Sequence, residues 1–318
     1  MLFAVQQLLG KTSLGIELAK KLNGEIISAD SMQIYKQMNT GTAKPTLEEK
    51  KEIPHHLIDI VNPDEEFNVS LYKDAAIKTI NDIISRNKIP IIVGGTGLYI
   101  NTLVNGIEFS EIPDDEEYVK ELEALYEKEG ADALFELLKK VDEESSKTIE
   151  KNNIRRVIRA LEIFKTTGKT KSELDRESQK ETPFDYLVYG IEWDRQTLYE
   201  RINKRVDLMI EAGLVDEVKN VTTNFKVSKT AMQGLGYKEV VDYLEGKTAY
   251  DEMIDIIKQE SRRYAKRQVT WFKKTTGLVW LDGSNQQAMI DKIIDDYNKR
   301  WILWELVIKQ DKILYILL

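Results

Sequence analysis

Short β-branched runs alternate with amphipathic helical patterns through the first hundred residues, and this alternation restricts the chain to a parallel sheet covered on both faces. The strand-like runs are Phe3–Val5, Ile26–Ala29, Leu57–Val61 and Pro90–Val93. A helix is expected from Thr12 or Ser13, where Leu14, Leu18 and Leu22 recur every four residues. A second is expected over Ser70–Arg86, with Leu71, Ala75, Ala76, Ile80, Ile83 and Ile84 on one face. From Ile112 to Thr182 the strands stop. Leu122, Leu125, Leu134, Leu137 and Leu138 mark acidic helices there, and Ile154, Val157, Ile158, Leu161 and Ile163 mark a basic one closed by Thr167-Gly168. Strand character returns at Tyr186–Ile191, followed by helices over Thr197–Gly213 and Tyr250–Phe272.

The junctions after the strands carry the chemistry. Gly10-Lys11-Thr12 opens a helix, which is where a P-loop places backbone N–H groups around phosphate oxygens, a lysine charge beside them and a hydroxyl on Mg²⁺. Val5 stands where the first glycine of G-x-x-x-x-G-K-[ST] belongs, and a β-branched residue resists the positive φ that glycine supplies. The expected fold class is accordingly α/β, a P-loop NTPase-like parallel sheet flanked by helices, with an all-helical insertion domain. Residues 1–111 and 183–300 form the two parts of the core, 112–182 the insertion and 301–318 an irregular apolar tail. Asp30 follows a buried-looking strand, where it can bind a cation, accept a proton or cap the next turn. Gly94-Gly95-Thr96-Gly97 closes another strand, where glycines let a ligand approach the backbone. Arg201 and Arg205 share a helix face, suited either to a pyrophosphate or to pairing with Glu200 or Asp207. His55 and His56, the only histidines, are adjacent and read as structural.

Charge is unevenly spread. The net charge is −8, yet residues 111–150 alone hold 15 acidic and 5 basic side chains, and residues 151–180 reverse this with 9 basic against 4 acidic. Residues 258–274 hold 7 basic and 1 acidic. Such asymmetry admits a polyanion on one face, although solvated helix faces give the same pattern. Arg155, Arg156 and Arg159 form one basic cluster; Arg263 and Arg267 form another, interleaved with Tyr264, Trp271 and Phe272 for phosphate contact and base stacking. The absence of cysteine excludes disulfides and thiolate metal sites. No apolar run is long enough to span a bilayer and no signal peptide is read, so a cytoplasmic protein without a membrane is expected.

Taken together, the G-K-T junction, IISADSMQIYKQMNTGTAKP (26–45), PHHLIDI (54–60), PIIVGGTGLYI (90–100), NIRRVIRALEIFKTTGKTKSEL (153–174), ERINKRVDLMIEAGLVDEV (200–218), QGLGYKE (233–239) and RRYAKRQVTWFK (262–273) resemble the tRNA dimethylallyltransferases, or tRNA isopentenyltransferases. The resemblance runs in order through nearly the whole chain. It implies transfer of a dimethylallyl group from dimethylallyl diphosphate to the exocyclic amine of the adenosine immediately 3′ of the anticodon, in tRNAs reading codons that begin with U. It implies catalytic roles for Asp30, Thr96 and Arg205, with Asp30 as general base. Gly10, Lys11, Thr12 and Ser13 would hold the diphosphate, with Mg²⁺ on Thr12. Asp30, Ser31, Met32, Gln33 and Thr96, with Arg155, Arg156, Val157, Ile158 and Arg159, would contact tRNA. The helical insertion would grasp the anticodon stem-loop, and the enzyme is expected to act as a monomer. A P-loop kinase, a prenyltransferase of free adenylates and a non-catalytic tRNA-binding relative are the alternatives. The family's P-loop reads G-P-T-A-x-G-K-T, so Val5-Gln6-Gln7-Leu8-Leu9 departs from it.

Overall fold

The computed structural model describes residues 11–109, 112–178, 180–182, 184–304 and 311–317, with side chains described between residues 12 and 300. The chain divides into two compact units, residues 1–104 with 182–318 and residues 105–181. The expected strand Phe3–Val5 and the P-loop residues up to Gly10 lie outside the described residues.

The larger unit begins with α1 (Lys11–Leu22), β1 (Gly24–Ala29), α2 (Leu47–Glu52), β2 (His55–His56), α3 (Val69–Ser85), β3 (Ile89–Gly94) and α4 (Gly97–Val104). The smaller unit holds α5 (Glu116–Glu129), α6 (Ala131–Val141), α7 (Glu143–Thr148), α8 (Ile154–Thr167) and α9 (Lys171–Glu177). The larger unit resumes with β4 (Phe184–Glu192), α10 (Arg195–Glu211), α11 (Leu214–Asn224), a 3₁₀ turn (Ala231–Gln233), α12 (Tyr237–Leu244), α13 (Tyr250–Phe272), β5 (Leu278–Asp282), α14 (Gln286–Trp304) and β6 (Asp311–Leu317).

The six described strands form one parallel sheet in the order β2-β1-β3-β6-β4-β5. Side chains alternate across it with the period of two that a strand imposes. Ile27 and Ala29 of β1, Ile92 of β3 and Val188 of β4 face one core, with α3, α4 and helices α10 to α13. Ile26, Ile91, Val93, Leu187, Tyr189 and Ile191 face the other, with α1 and α14. Apolar contact on both faces is why these strands read as continuous hydrophobic runs. Glu25 interrupts β1 at 2% exposure, and Arg86, Lys88 and His56 meet its carboxylate at 2.5, 2.7 and 2.8 Å.

Two expectations need correcting. Leu57–Val61 is not a strand: pairing stops at His56, and Leu57 and Asp59 take positive φ of 59° each. There the backbone turns to meet the 33–36 loop instead, with Asp59 N–H donating to Gln33 O at 3.1 Å and Ile60 N–H to Ile34 O at 2.8 Å. The expected irregular tail holds β6, whose backbone groups find partners on both β3 and β4. Its interruptions by charge fall mostly before the apolar run that pairs.

The smaller unit is all helical. Leu122, Leu134, Leu138, Val157, Ile158 and Leu161 pack in its core. Asn153 caps α8 by accepting the Arg156 N–H, and Gly168 ends it in the left-handed conformation at φ 71°.

Candidate active site

The carboxyl ends of β1 and β3 lie side by side, Ala29 in register with Gly94. They approach so closely that a Cβ on Gly94 would lie 2.2 Å from the Ala29 carbonyl oxygen, so only glycine fits. Thr96 stitches the two turns together. Its N–H donates to Ala29 O at 3.1 Å, and its hydroxyl accepts the Ser31 N–H at 2.9 Å and donates to Ser31 Oγ at 3.2 Å. Asp30, directly past β1, uses Oδ1 to accept the Met32 N–H at 2.9 Å and, more weakly, the Gln33 N–H at 3.4 Å. Among the described residues its Oδ2 accepts no hydrogen bond.

Asp30 stands between two hollows. A cavity of about 390 Å³ is lined by polar Asp30, Ser31, Arg205, Tyr264, Arg267 and Gln268 and by apolar Met32, Leu198, Ile202, Val206, Met209 and Leu235. A smaller hollow of about 40 Å³ joins Asp30 to Thr12, Gln33 and His55. Ser13, expected beside the diphosphate, instead borders a separate hollow with Glu17, Lys20 and Gln286. A single residue step along α1 explains the separation, because adjacent helical residues point about 100° apart.

α10 builds one wall. Leu198, Ile202, Arg205, Val206 and Met209 recur at helical spacing, and Arg205 is the cation among them. Burial pulls the Arg205 pKa down, while the nearby Asp30 charge opposes the shift. Arg205 makes no ion pair among the described residues, so its charge is available to an anion. Arg201, on the same helix face, stacks over Trp193 at 3.9 Å and serves a different contact.

α13 builds the opposite wall and reaches the glycine turn. Gln268 Nε2 donates to Gly95 O at 2.7 Å. Burial pushes the Tyr264 hydroxyl up to about 12, with Asp30 adding to the rise, so it stays a neutral donor beside Asp30. The helix is pinned to α10 by Lys258 with Asp207 at 2.6 Å and Arg262 with Asn203 at 2.5 Å.

The floor of the loop after β1 is held from far along the chain. Glu217 on α11 accepts the N–H groups of Asn39, Thr40 and Gly41 at 2.8, 2.7 and 3.1 Å, and the Tyr237 hydroxyl at 2.6 Å. Lys44, 3% exposed, donates to Tyr35 O at 2.5 Å and Asp59 Oδ1 at 2.6 Å. Gln33 is consumed structurally: Nε2 donates to Thr42 O and Ala43 O, and Oε1 accepts from Ser28.

The structure therefore brings Asp30, Ser31, Met32, Thr96 and Arg205 together, with Thr12 across the smaller hollow. The apolar wall of α10, Gln268 and Glu217 were missed in sequence. The i, i+4 spacing of Leu198, Ile202 and Val206 was the available signal for the first. In the helical unit Arg155 and Arg156 are exposed, and Arg159 pairs with Glu162 at 2.6 Å and Asp114 at 3.1 Å. Val157 and Ile158, expected in a tRNA-contacting segment, are 0% and 7% exposed, because the helix period turns them into the core. No group of three or more His, Asp or Glu among the described residues is arranged to hold a metal.

Residues 33–275 match the family model described as IPP transferase. The chain belongs to this family. It is 52% identical over 275 residues to the tRNA dimethylallyltransferase of Acetivibrio thermocellus, covering 86% of this chain and 88% of that protein. Among solved IPP transferases, it is similar to the full-length tRNA isopentenylpyrophosphate transferase of Bacillus halodurans, with TM-score 0.68 and 42% identity over 92% of this chain and 95% of that one. It is also similar to a eukaryotic dimethylallyltransferase studied acting on tRNA, with TM-score 0.72 and 35% identity over 86% of this chain and 71% of that one. The cavity bounded by Asp30 and Arg205 lies wholly within the larger unit of this family member. No helix among the described residues is long and apolar enough to cross a membrane.

Proposed function

We propose that the chain transfers a dimethylallyl group from dimethylallyl diphosphate to the exocyclic amine of the adenosine immediately 3′ of the anticodon in tRNAs reading U-starting codons, releasing pyrophosphate. One observation carries the reading. Asp30, with an uncommitted carboxylate oxygen, and Arg205, with an uncommitted charge, line one cavity that also has an apolar wall. A prenyl tail suits Leu198, Ile202, Val206 and Met209, and a diphosphate suits Arg205 together with the helix start at Lys11-Thr12.

The exocyclic amine is a weak nucleophile, so position and leaving-group stabilisation do the work. The amine nitrogen attacks C1 of the donor as the C1–O bond breaks, and the bonding pair leaves with the diphosphate. The amine proton passes to Asp30 Oδ2. Thr96 sets the Asp30 turn through Ser31, and Gln268 sets the adjoining turn through Gly95. Thr12 lines the smaller hollow, and its hydroxyl is the hard oxygen donor that would hold Mg²⁺ carried on a diphosphate. Mg²⁺ bound there supplies neutralisation of the departing charge. The adenine must leave its stack to reach Asp30. The start of α1 is read as a P-loop used for a prenyl diphosphate. Arg155 and Arg156 of the helical unit supply phosphate contacts to the anticodon stem-loop, and the protein acts as a cytoplasmic monomer.

The test is incubation with dimethylallyl diphosphate, Mg²⁺ and unmodified tRNA, followed by digestion to nucleosides. Isopentenyladenosine is the expected product. Its absence beside intact tRNA binding would favour a non-catalytic relative, and phosphate transfer from ATP to a small acceptor would sink the reading.

A further inference from the structure

The centre of a parallel sheet is buried on both faces, and the strand there sets the spacing of everything on either side. In this chain that place belongs to β6. Residues Ile91–Gly94 pair in register with Leu314–Leu317, and Phe184–Gly190 pair with Asp311–Leu317. With β6 absent, β3 and β4 would face each other across a gap of roughly 10 Å, two strand spacings, with two rows of backbone groups unpaired. The segment suits the place. After Asp311 and Lys312 come five apolar or aromatic residues, Ile313 to Leu317, which is the composition of a strand covered on both sides.

Its position along the strand direction matters more. β6 ends level with Gly94 and Gly190, the same height at which β3 enters the Gly95-Thr96 turn. α1, which opens on Lys11-Thr12 at that end of the sheet, packs on β1, β3 and β6 together. Thr12 at the start of α1 and Gly94 at the end of β3 both line the smaller hollow, and β6 is packed by the first element and paired with the second.

We propose that β6 is the positioning strand of the diphosphate site, holding the Lys11-Thr12 helix start and the Gly95-Thr96 turn at the separation the anion requires. The inference rests on reading those turns as a diphosphate site, not on prenyl transfer itself. The last described strand of the chain is thus part of the machinery that its first described helix begins.

Because the chain has no cysteine, paired cysteines report the strand order cleanly. Ile92→Cys with Tyr315→Cys joins neighbours in register, whereas Ile27→Cys with Tyr315→Cys spans two strand spacings, beyond disulfide reach. Refolded in a glutathione redox buffer, the first pair should link and the second should not. Failure of the first pair, or equal linking of both, overturns the strand order. The positioning role is read separately, by binding of inorganic pyrophosphate with Mg²⁺ to Leu317→Pro and Asp311→Pro. Each proline disturbs an end of the same strand, Asp311→Pro less because it stands at the first strand residue, so both affinities are compared at a temperature well below the two measured melting temperatures. Only Leu317→Pro, at the site end, should weaken pyrophosphate binding by tenfold or more. Equal affinities in the two variants overturn the proposal. Linked strands and selective loss of pyrophosphate in an enzyme that makes no isopentenyladenosine would leave it standing while the transfer reading fell.

Discussion

At Asp30 one carboxylate oxygen is committed among the described residues and the other is not. Oδ1 closes the turn onto Met32 and Gln33, and Asp30 lines the cavity. Asparagine keeps an oxygen for the turn and cannot take a proton. Asp30→Asn should therefore leave the melting temperature and tRNA affinity nearly unchanged and lower the transfer rate roughly 10²- to 10⁴-fold, the usual span for a lost general base. Single-turnover kinetics beside a tRNA-binding assay checks both halves. Gly97 offers a second residue-scale case. A Cβ there would lie 2.4 Å from Trp271 Cδ1, and Trp271 sits on α13 three residues beyond Gln268, which holds Gly95. Gly97→Ala should cost about 1–3 kcal/mol by overpacking. It should also slow transfer by shifting Gln268, and calorimetry with steady-state rates would register the two effects together.

Among the elements, legibility followed sequence distance. β1, β3 and β4 were readable as β-branched runs, and α13 as an amphipathic period over Tyr250–Phe272, because burial on one stripe or both faces leaves a local imprint. Asp30 and Thr96 were readable because both directly follow strands. β5 (Leu278–Asp282) was missed, being five residues with Val279 exposed at 42%. β6 was missed because only its partners, far away in sequence, distinguish a central strand from an apolar tail. Glu217 was invisible for the same reason: its partners lie 176 to 178 residues earlier.

The opposite end of β1 makes an acid-sensitive element. Hydrogen bonds from Arg86, then from Lys88 and His56, hold the Glu25 carboxyl well below the usual carboxylate range. Its stabilisation is present above the unfolded carboxylate pKa and fades as pH falls. Burial brings His55 down to about 4, so the unfolded chain binds the extra proton and stability falls as pH drops from about 6.5 toward 4. Both effects have the same sign. Melting temperature should decline on acidification through that window. Glu25→Gln should lower the melting temperature at neutral pH by taking the carboxylate from Arg86, Lys88 and His56, whose partly exposed side chains keep much of their hydration, and its gap from the parent should narrow in acid. Parallel pH series of thermal melts would reveal a gap that widens instead, contradicting the assignment.

On the scale of the whole molecule, a net charge of −8 coexists with a proposed polyanion substrate because the charges are sorted by segment. The helical unit carries both extremes, and its exposed Arg155 and Arg156 belong to the basic one. Replacing both by alanine should weaken tRNA binding and flatten its dependence on salt, each lost phosphate contact lowering the log–log slope by about one. Arg159→Ala should do less to that slope and more to stability, since Arg159 is already paired with Glu162 and Asp114. Titrations at several salt concentrations separate the two outcomes.

β6 has one further consequence, which is topological. It lies parallel to β1 and β3 beneath α1, and it ends at the edge of the sheet from which α1 departs. In space β6, α1 and β1 have the strand–helix–strand arrangement of a crossover unit, although β6 comes after the other two along the chain. A rearranged gene that joins residue 318 through a linker to residue 1, with new ends opened between Trp304 and Asp311, should fold to the same sheet. The message could be read from a different starting point without altering the molecule.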